Sequence, residues 1–381
     1  MTKKTIHLIA AARPNFMKIA PLFHALKAES WADPIIVHTG QHYDLNMSDA
    51  FFQDLQLSEP GIHLEVGSGS HAEQTGKVMM AYEKVLLAEQ PDLVVVVGDV
   101  NSTIACTLAA TKINYGKTLY FAHGELNRPV VAHLEAGLRS FDRTMPEEVN
   151  RLATDALADF LWTPSPDGDA HLRHEGVDDS KIINVGNIMI DSLEMMRKQI
   201  EAANTVNELK LNPKGYGIVT LHRPANVDDP KILNRLCDML LSFANKLPIV
   251  FPVHPRTNKH LEQQGLLDKL KSADGLTLLE PLSYIRFMNL VFNCQLVVTD
   301  SGGIQEETTY LGTPCLTLRP NTERPITIDQ GTNQLCTLDN VESKLDDVLA
   351  GKGKRGSIPN FWDGHTADRV VASIKNILQA S

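Results

Sequence analysis

Apolar residues in this chain come in short unbroken runs, and between the runs lie longer stretches where apolar positions recur at helical spacing. TIHLIA (5–10), PIIVHT (34–39), LVVVVGD (93–99), VVAHLEA (130–136) and DFLWTPS (159–165) have the length and β-branched content of buried strands. NFMKIAPLFHALKAE, HAEQTGKVMMAYEKVLLAEQ and NSTIACTLAATK, which fall between them, carry helical periodicity. The alternation resumes with YGIVTLH (216–222), PIVFPVH (248–254), QLVVTDS (295–301) and PCLTLR (314–319). Strands apolar on both faces and separated by helices predict parallel sheets covered on both sides. Two such series predict an α/β protein of two Rossmann-like, doubly wound domains.

The boundary is expected near INVGNIMIDSL (183–193), where a strand and a Gly-Asn turn lead into a helix. That gives domains of 1–185 and 186–364, with the last helix, within 365–381, packing back on the first. INYGKTLYFAHGELNRP (113–129) is long for a helix-to-strand connection, ordinarily about 2–6 residues, and reads as a surface insertion.

Composition narrows the partners. At 381 residues, 43% hydrophobic and 22% charged, the chain has an ordinary globular makeup, and its net charge of −10 argues against binding nucleic acid or an anionic membrane. Its five cysteines are scattered without a CxxC pair, so neither a disulfide framework nor a zinc site is expected and the cytoplasm is the predicted compartment. Arg13-Pro14 ends the first apolar run, and nothing approaches the roughly 18 apolar residues of a membrane span.

Chemistry-bearing residues gather where strands end. In VVTDSGGIQEE (297–307) a strand runs into Ser301-Gly302-Gly303 and then a helix closed by Gly312. Glycines admit a diphosphate to the backbone, the helix start offers free N–H groups, and Glu307 is placed to accept from ribose hydroxyls. There is no GxGxxG, so a nicotinamide cofactor is not indicated. The first strand-to-helix loop carries Arg13 and Lys18, a cation pair suited to an anion. Asp99 ends the third strand, and His222-Arg223 and His254-x-Arg256 end neighbouring strands of the second series, the edge where doubly wound sheets bind ligands. HLEAGLRSFDRTMPEEVNR (133–151) packs Glu135, Asp142, Glu147 and Glu148 among Arg139, Arg143 and Arg151. Gly137 and Pro146 break it into a strand end, a loop and a helix start, with the arginines placed to orient carboxylates and keep some ionised.

The stretches ARPNFMKIAPL, HTGQHYD, VVGDVNST, AHLEAGLRS, MPEEVNRLATDALAD, VGNIMID, HRPANVDD, VHPRT and TDSGGIQEETTYLGTPCLTLRPNTERP, in this order, resemble the UDP-N-acetylglucosamine 2-epimerase family. The resemblance implies a GT-B architecture of two facing Rossmann-like domains and a non-hydrolysing epimerase acting at C2 of a UDP-sugar. It puts catalytic roles on Asp99, Glu135, Glu147 and His222. Substrate binding falls on Arg13, Lys18, His254, Arg256, Phe287, Ser301, Gly302, Gly303, Glu307 and Arg324. No cofactor and no metal are implied, and the expected assembly is a homodimer. Two features depart from the better-known bacterial pattern: the Glu135 to Glu147 loop is shorter, and TGQHYDLNMSD lacks the sequence associated with allosteric binding of substrate. The hydrolysing epimerase, releasing free ManNAc and UDP, and a GT-B glycosyltransferase are the alternatives.

Overall fold

The structure is a computed structural model and describes residues 3–40, 52, 54–57, 59–122 and 124–379. Residues 41–48 of the TGQHYDLNMSD stretch lie outside the described residues, as does Asp49 at its end. The chain forms two compact units, Met1–Met195 with Asn360–Ser381, and Met196–Pro359.

The first unit is built on seven parallel strands: β1 (Lys4–Ala10), β2 (Ala32–His38), β3 (Ile62–His63), β4 (Leu93–Val97), then β7 (Val130–Leu134), β8 (Phe160–Thr163) and β9 (Ile182–Asn184). Their order across the sheet is β3-β2-β1-β4-β7-β8-β9. All five residues of β4 and of β7 are buried, as expected of strands covered by helices on both faces. The segment read as an insertion is an antiparallel hairpin of β5 (Leu119–Phe121) and β6 (Gly124–Leu126), tethered where Ala122 N donates to Ile377 O at 2.8 Å. The C-terminal helix Thr366–Ile377 belongs to this unit. Trp162 Nε1 donates to Ser373 Oγ at 3.0 Å, and Asp191 Oδ1 accepts from Ala367 N at 2.7 Å.

The second unit carries β10 (Gly217–Thr220), β11 (Ile249–Pro252), β12 (Leu276–Leu279), β13 (Leu296–Thr299), β14 (Cys315–Leu318) and β15 (Asn333–Cys336), all parallel, in the order β12-β11-β10-β13-β14-β15. Both orders run outward in opposite directions from one central pair, β1 with β4 and β10 with β13. The chain therefore crosses in opposite senses at that pair and leaves a crevice at the strands' carboxyl ends. Among the described residues no helix is long and apolar enough to cross a membrane.

Candidate functional site

In the first unit the carboxyl ends of β1, β4 and β7 lie side by side. Helix Arg13–Lys27 follows β1, and Asn15 fixes its start: Oδ1 accepts from Ala12 N at 3.2 Å while Nδ2 donates to Val97 O at 3.1 Å. One turn on, Lys18 Nζ donates to Glu135 Oε2, an ion pair in which the two side chains keep 12% and 3% of their exposure. Gly98 makes room for it. A Cβ there would lie 3.2 Å from Lys18 Nζ and 3.4 Å from Glu135 Oε2, and the φ of +68° favours glycine independently. Glu135 itself stands at φ +71°, and its buried Oε1 accepts no hydrogen bond from any described residue. The first-unit site thus holds a desolvated carboxylate with one oxygen paired and one unused.

Asp99, just past β4, does not cap the helix Asn101–Lys112, whose N-cap is Val100 with no side-chain bond. Instead Asp99 Oδ2 accepts from Arg151 Nε at 3.0 Å and Nη2 at 2.7 Å. Arg151 reaches back through Nη1 to Glu148 Oε2 at 2.5 Å. Helix Pro146–Leu157 sets this phase: Glu148, Arg151 and Asp155 share its buried face, and Glu147 stands half-exposed beside it. Burial would raise the Glu148 carboxyl, but the Ser140 and Phe141 N–H groups and the Ser140 hydroxyl hold it below the ordinary range. Arg143 is exposed. Of the three arginines predicted to orient carboxylates, Arg139 and Arg151 do so.

A second buried row lies behind Glu135. His133 on β7 faces Asp155 Oδ1 at 2.5 Å through Nδ1 and Gly98 O at 2.8 Å through Nε2. Asp155 Oδ2 takes Arg139 Nη1 at 2.7 Å and Gly137 N at 3.0 Å, and Arg139 forks onto Glu175 at 2.7 and 2.6 Å. Burial pushes the Asp155 carboxyl up; the His133 and Arg139 partners bring it down overall. Arg13, half-buried at the start of its helix, opposes the upward push of burial on Asp54.

In the second unit Asp300, fully buried after β13, organises the end of β10. It accepts from the backbone N–H of His222 at 3.1 and 3.0 Å and of Arg223 at 2.9 Å, and from Asn226 Nδ2 at 3.0 Å. His222 Nδ1 lies 2.8 Å from Asp300 Oδ1. The carboxylate fixes the proton on Nδ1 and leaves the Nε2 lone pair outward, the arrangement of an oriented acid–base histidine. Burial would raise Asp300, yet these donors lower it. The His254 ring centroid lies 5.5 Å from that of His222, and its pKa is lowered by burial and by His222. His254 Nδ1 caps its own helix by accepting from Arg256 N at 3.2 Å, while Arg256 pairs with Asp228 at the surface.

Helix Gly302–Leu311 starts right after β13 and ends at Gly312 in the left-handed conformation, as the motif predicts. Ser301 makes no side-chain cap bond, and a Cβ on Gly303 would meet nothing within 4 Å. Over Gly302 lies a charged lid: a Cβ there would sit 2.7 Å from Arg324 Nη1 and 2.8 Å from Glu323 Oε1. Burial works against ionising Glu323, but Arg324 and Arg319 hold its carboxyl far below the usual range. Arg319 Nη1 is buried without a partner among the described residues, and Arg223 Nη2 lies 4.0 Å from Glu323. Three guanidiniums thus crowd one helix start and can hold an anion there. Glu307 is buried on the same helix, its pKa pushed up to about 8 by burial, with Tyr284 OH donating to Oε1 at 2.6 Å. Phe287 is half-buried on helix Tyr284–Asn293.

Sequence reasoning placed the strand-end residues and named Glu148 among the clustered carboxylates, but gave no role to the other groups that hold them: His133, Asp155, Asp300, Arg319 and Glu323. The signals were present, in the i, i+3, i+7 spacing of Glu148, Arg151 and Asp155 and the i, i+4 spacing of Arg319 and Glu323.

Comparison with known proteins adds the family. The profile of the family described as UDP-N-acetylglucosamine 2-epimerase matches residues 24–375. A UDP-N-acetylglucosamine 2-epimerase homolog of Methanococcus maripaludis is 40% identical over 376 residues, covering 97% of this chain and 99% of its own. The UDP-2,3-diacetamido-2,3-dideoxy-D-glucuronate 2-epimerase of Pseudomonas aeruginosa is 38% identical over 331 residues, 86% of each chain. The crystal structure of Methanocaldococcus jannaschii UDP-GlcNAc 2-epimerase in complex with UDP-GlcNAc and UDP superposes with a TM-score of 0.83 at 38% identity, over 97% of this chain and 99% of that one.

Proposed function

The chain belongs to the UDP-N-acetylglucosamine 2-epimerase family and is an isomerase, and we propose that it inverts C2 of UDP-N-acetylglucosamine to give UDP-N-acetylmannosamine. C2 has no adjacent carbonyl to acidify its hydrogen, and a redox cofactor is not needed if UDP leaves as the proton does. A carboxylate takes the C2 proton, the C1–O bond breaks with its electron pair moving onto the diphosphate oxygen, and a C1–C2 double bond forms. The intermediate is 2-acetamidoglucal with UDP beside it. Return of UDP to C1 and of a proton to the other face of C2 gives the epimer, with no net redox change.

The observation that carries this reading is Glu135, buried beside Lys18 with one oxygen unpartnered among the described residues. It suits proton transfer in a water-poor site. Glu147 and Asp99 are its partners in elimination and proton return, and His222, oriented by Asp300, serves as a further acid–base group. In the second unit the three-residue turn Ser301–Gly303, with Arg324, holds the diphosphate, Glu307 takes the ribose and Phe287 borders the uracil; in the first unit Arg13 and Lys18 are the cations suited to an anion. His254 flanks His222, and Arg256 reaches substrate only by leaving Asp228.

We also read Met80, Leu87 and Val149, each more than half exposed on two helices that both pack against helix Asn101–Lys112, as part of a homodimer face. The cytoplasm, where thiols stay reduced, suits five free, buried cysteines.

The test is incubation with UDP-GlcNAc in deuterated water, followed by NMR. Intact UDP-ManNAc with deuterium at C2 supports the proposal; free ManNAc and UDP mark the hydrolysing reaction, and no exchange refutes both. UDP-2,3-diacetamido-2,3-dideoxy-D-glucuronate in a parallel tube tests the other sugar. Asp99→Asn, Glu135→Gln and Glu147→Gln are each expected to keep UDP binding and lose about 10²-fold or more in turnover.

A further inference from the structure

Phe141 sits in the loop between Glu135 and Glu147, 73% exposed as a residue and with its backbone at φ +57°, where glycine or asparagine is the ordinary occupant. Strained backbone persists when its surroundings fix it and its side chain has work to do. Here the surroundings are explicit. Phe141 N donates to Glu148 Oε1 at 2.8 Å, the neighbouring Ser140 N and Oγ each donate to Glu148 Oε2 at 3.0 Å, and Glu148 in turn holds Arg151, which grips Asp99. The ring meets His171 edge to face, centroids 5.1 Å apart at 87°. His171 is anchored as well, its Nδ1 donating to Gly137 O at 2.8 Å, two residues beyond Glu135. Two aromatic rings are therefore fixed to the strand-end turn that carries Glu135 and tied through charges to Asp99.

We propose that Phe141, backed by His171, is the stacking platform for the pyranose ring of the sugar nucleotide, a specificity-determining residue of the first unit. The proposal rests on the reading of the chain as a UDP-sugar epimerase. An aromatic face packs against the C–H face of a pyranose, and an outward ring on a pinned loop offers that face without a further ordering cost. A second copy of the chain is the competing occupant, since Val149 is exposed on the next helix. The sugar is favoured because each anchor of the loop leads to a carboxylate of the candidate site and none leads to the face around Met80.

Phe141→Gly and Phe141→Tyr separate the possibilities. Glycine removes the ring and relieves the left-handed backbone, so a purely structural role predicts that it alters stability alone. The expected result is that Phe141→Gly melts no lower than wild type and binds UDP within about twofold, while its KM for UDP-GlcNAc rises about tenfold, the size of a lost aromatic stack. Phe141→Tyr is expected to stay near wild type. An unchanged kcat/KM in Phe141→Gly overturns the proposal, as does an equal loss of UDP affinity or a shift to monomer in sedimentation. Wild-type protein that does not turn over UDP-GlcNAc would instead refute the functional reading, and is seen before any variant is made.

Discussion

Replacing Lys18 by Met should leave Glu135 as a buried, unpaired carboxylate. Met keeps much of the length and apolar volume of the lysine stem, so the change removes the charge and little of the packing. Glu135 is 4% exposed, its Oε1 already lacks a partner among the described residues, and Lys18 supplies the bond to Oε2. Removing one member of a buried ion pair costs about 3–5 kcal/mol. The lower end applies here because the Lys18 side chain retains 12% exposure, through which water reaches the pair. For a unit of this size, about 3 kcal/mol corresponds to a fall in melting temperature of roughly 6–12 °C. The assay can be confined to the right unit, because the three tryptophans, Trp31, Trp162 and Trp362, all lie in it. Thermal unfolding followed by tryptophan fluorescence should therefore move by that amount. The double variant Lys18→Met with Glu135→Gln should recover about 2 kcal/mol or more, since an amide needs no counter-ion. A Lys18→Met protein within about 0.5 kcal/mol of wild type would refute the reasoning, because it would mean that Glu135 is solvated or already neutral.

Gly303→Ala should leave the melting temperature unchanged or slightly raised, because nothing stands within 4 Å of the added methyl, and yet weaken UDP binding about tenfold or more by calorimetry, because the methyl stands where the proposed diphosphate site lies. Gly302→Val should lower both, since its Cβ meets Arg324 Nη1 at 2.7 Å. Glu307 should make the second unit less stable as the pH rises: its folded pKa, pushed up by burial to about 8, exceeds the ordinary glutamate value of 4.5, so the folded state holds a proton that the unfolded state gives up between those values. Urea midpoints measured across that range should fall, and Glu307→Gln should flatten the dependence. Leu87→Asp should shift the protein towards monomer in sedimentation while leaving the fold intact. Chelator should leave turnover unchanged if, as proposed, arginines and the helix start supply the positive charge for the diphosphate.

Most of the fold was legible because central parallel strands are apolar on both faces, and LVVVV of β4 can be little else. The strands that escaped are at the rims. β3, β12 and β15 have only two to four residues and are partly exposed, so their composition shows no unbroken apolar run. The hairpin at 119–126 escaped for a related reason, since Tyr120 is 70% exposed and neither strand has a buried face to pattern. In the site, residues at strand ends could be found from the alternation alone. Which partner each takes could not, because Arg151 with Asp99 and His222 with Asp300 are 52 and 78 residues apart in sequence, and only the sheet order brings them together.

The dense charge of residues 133–151 follows from this division of labour. Buried carboxylates are tolerated only when paired, and a carboxylate whose oxygens are all paired has no lone pair to spare for a substrate proton. The segment meets both requirements by separating them. Glu148 accepts from Ser140, Phe141 and Arg151 and is saturated; Asp155, one turn beyond the segment on the same helix, is equally filled by His133, Gly137 and Arg139. These two make the guanidiniums immobile. The immobilised Arg151 then presents two N–H groups to one oxygen of Asp99, leaving Oδ1 without a bond from any described residue, and Lys18 does the same for Glu135. Charges that cannot move thus hold in place the two carboxylates proposed to exchange a proton. Neutralising Glu148 should consequently cost turnover through Arg151 and Asp99 as well as stability: Glu148→Gln is expected to lower kcat about tenfold or more, with UDP affinity intact. A Glu148→Gln enzyme that is destabilised but fully active would show that Asp99 is held by other means.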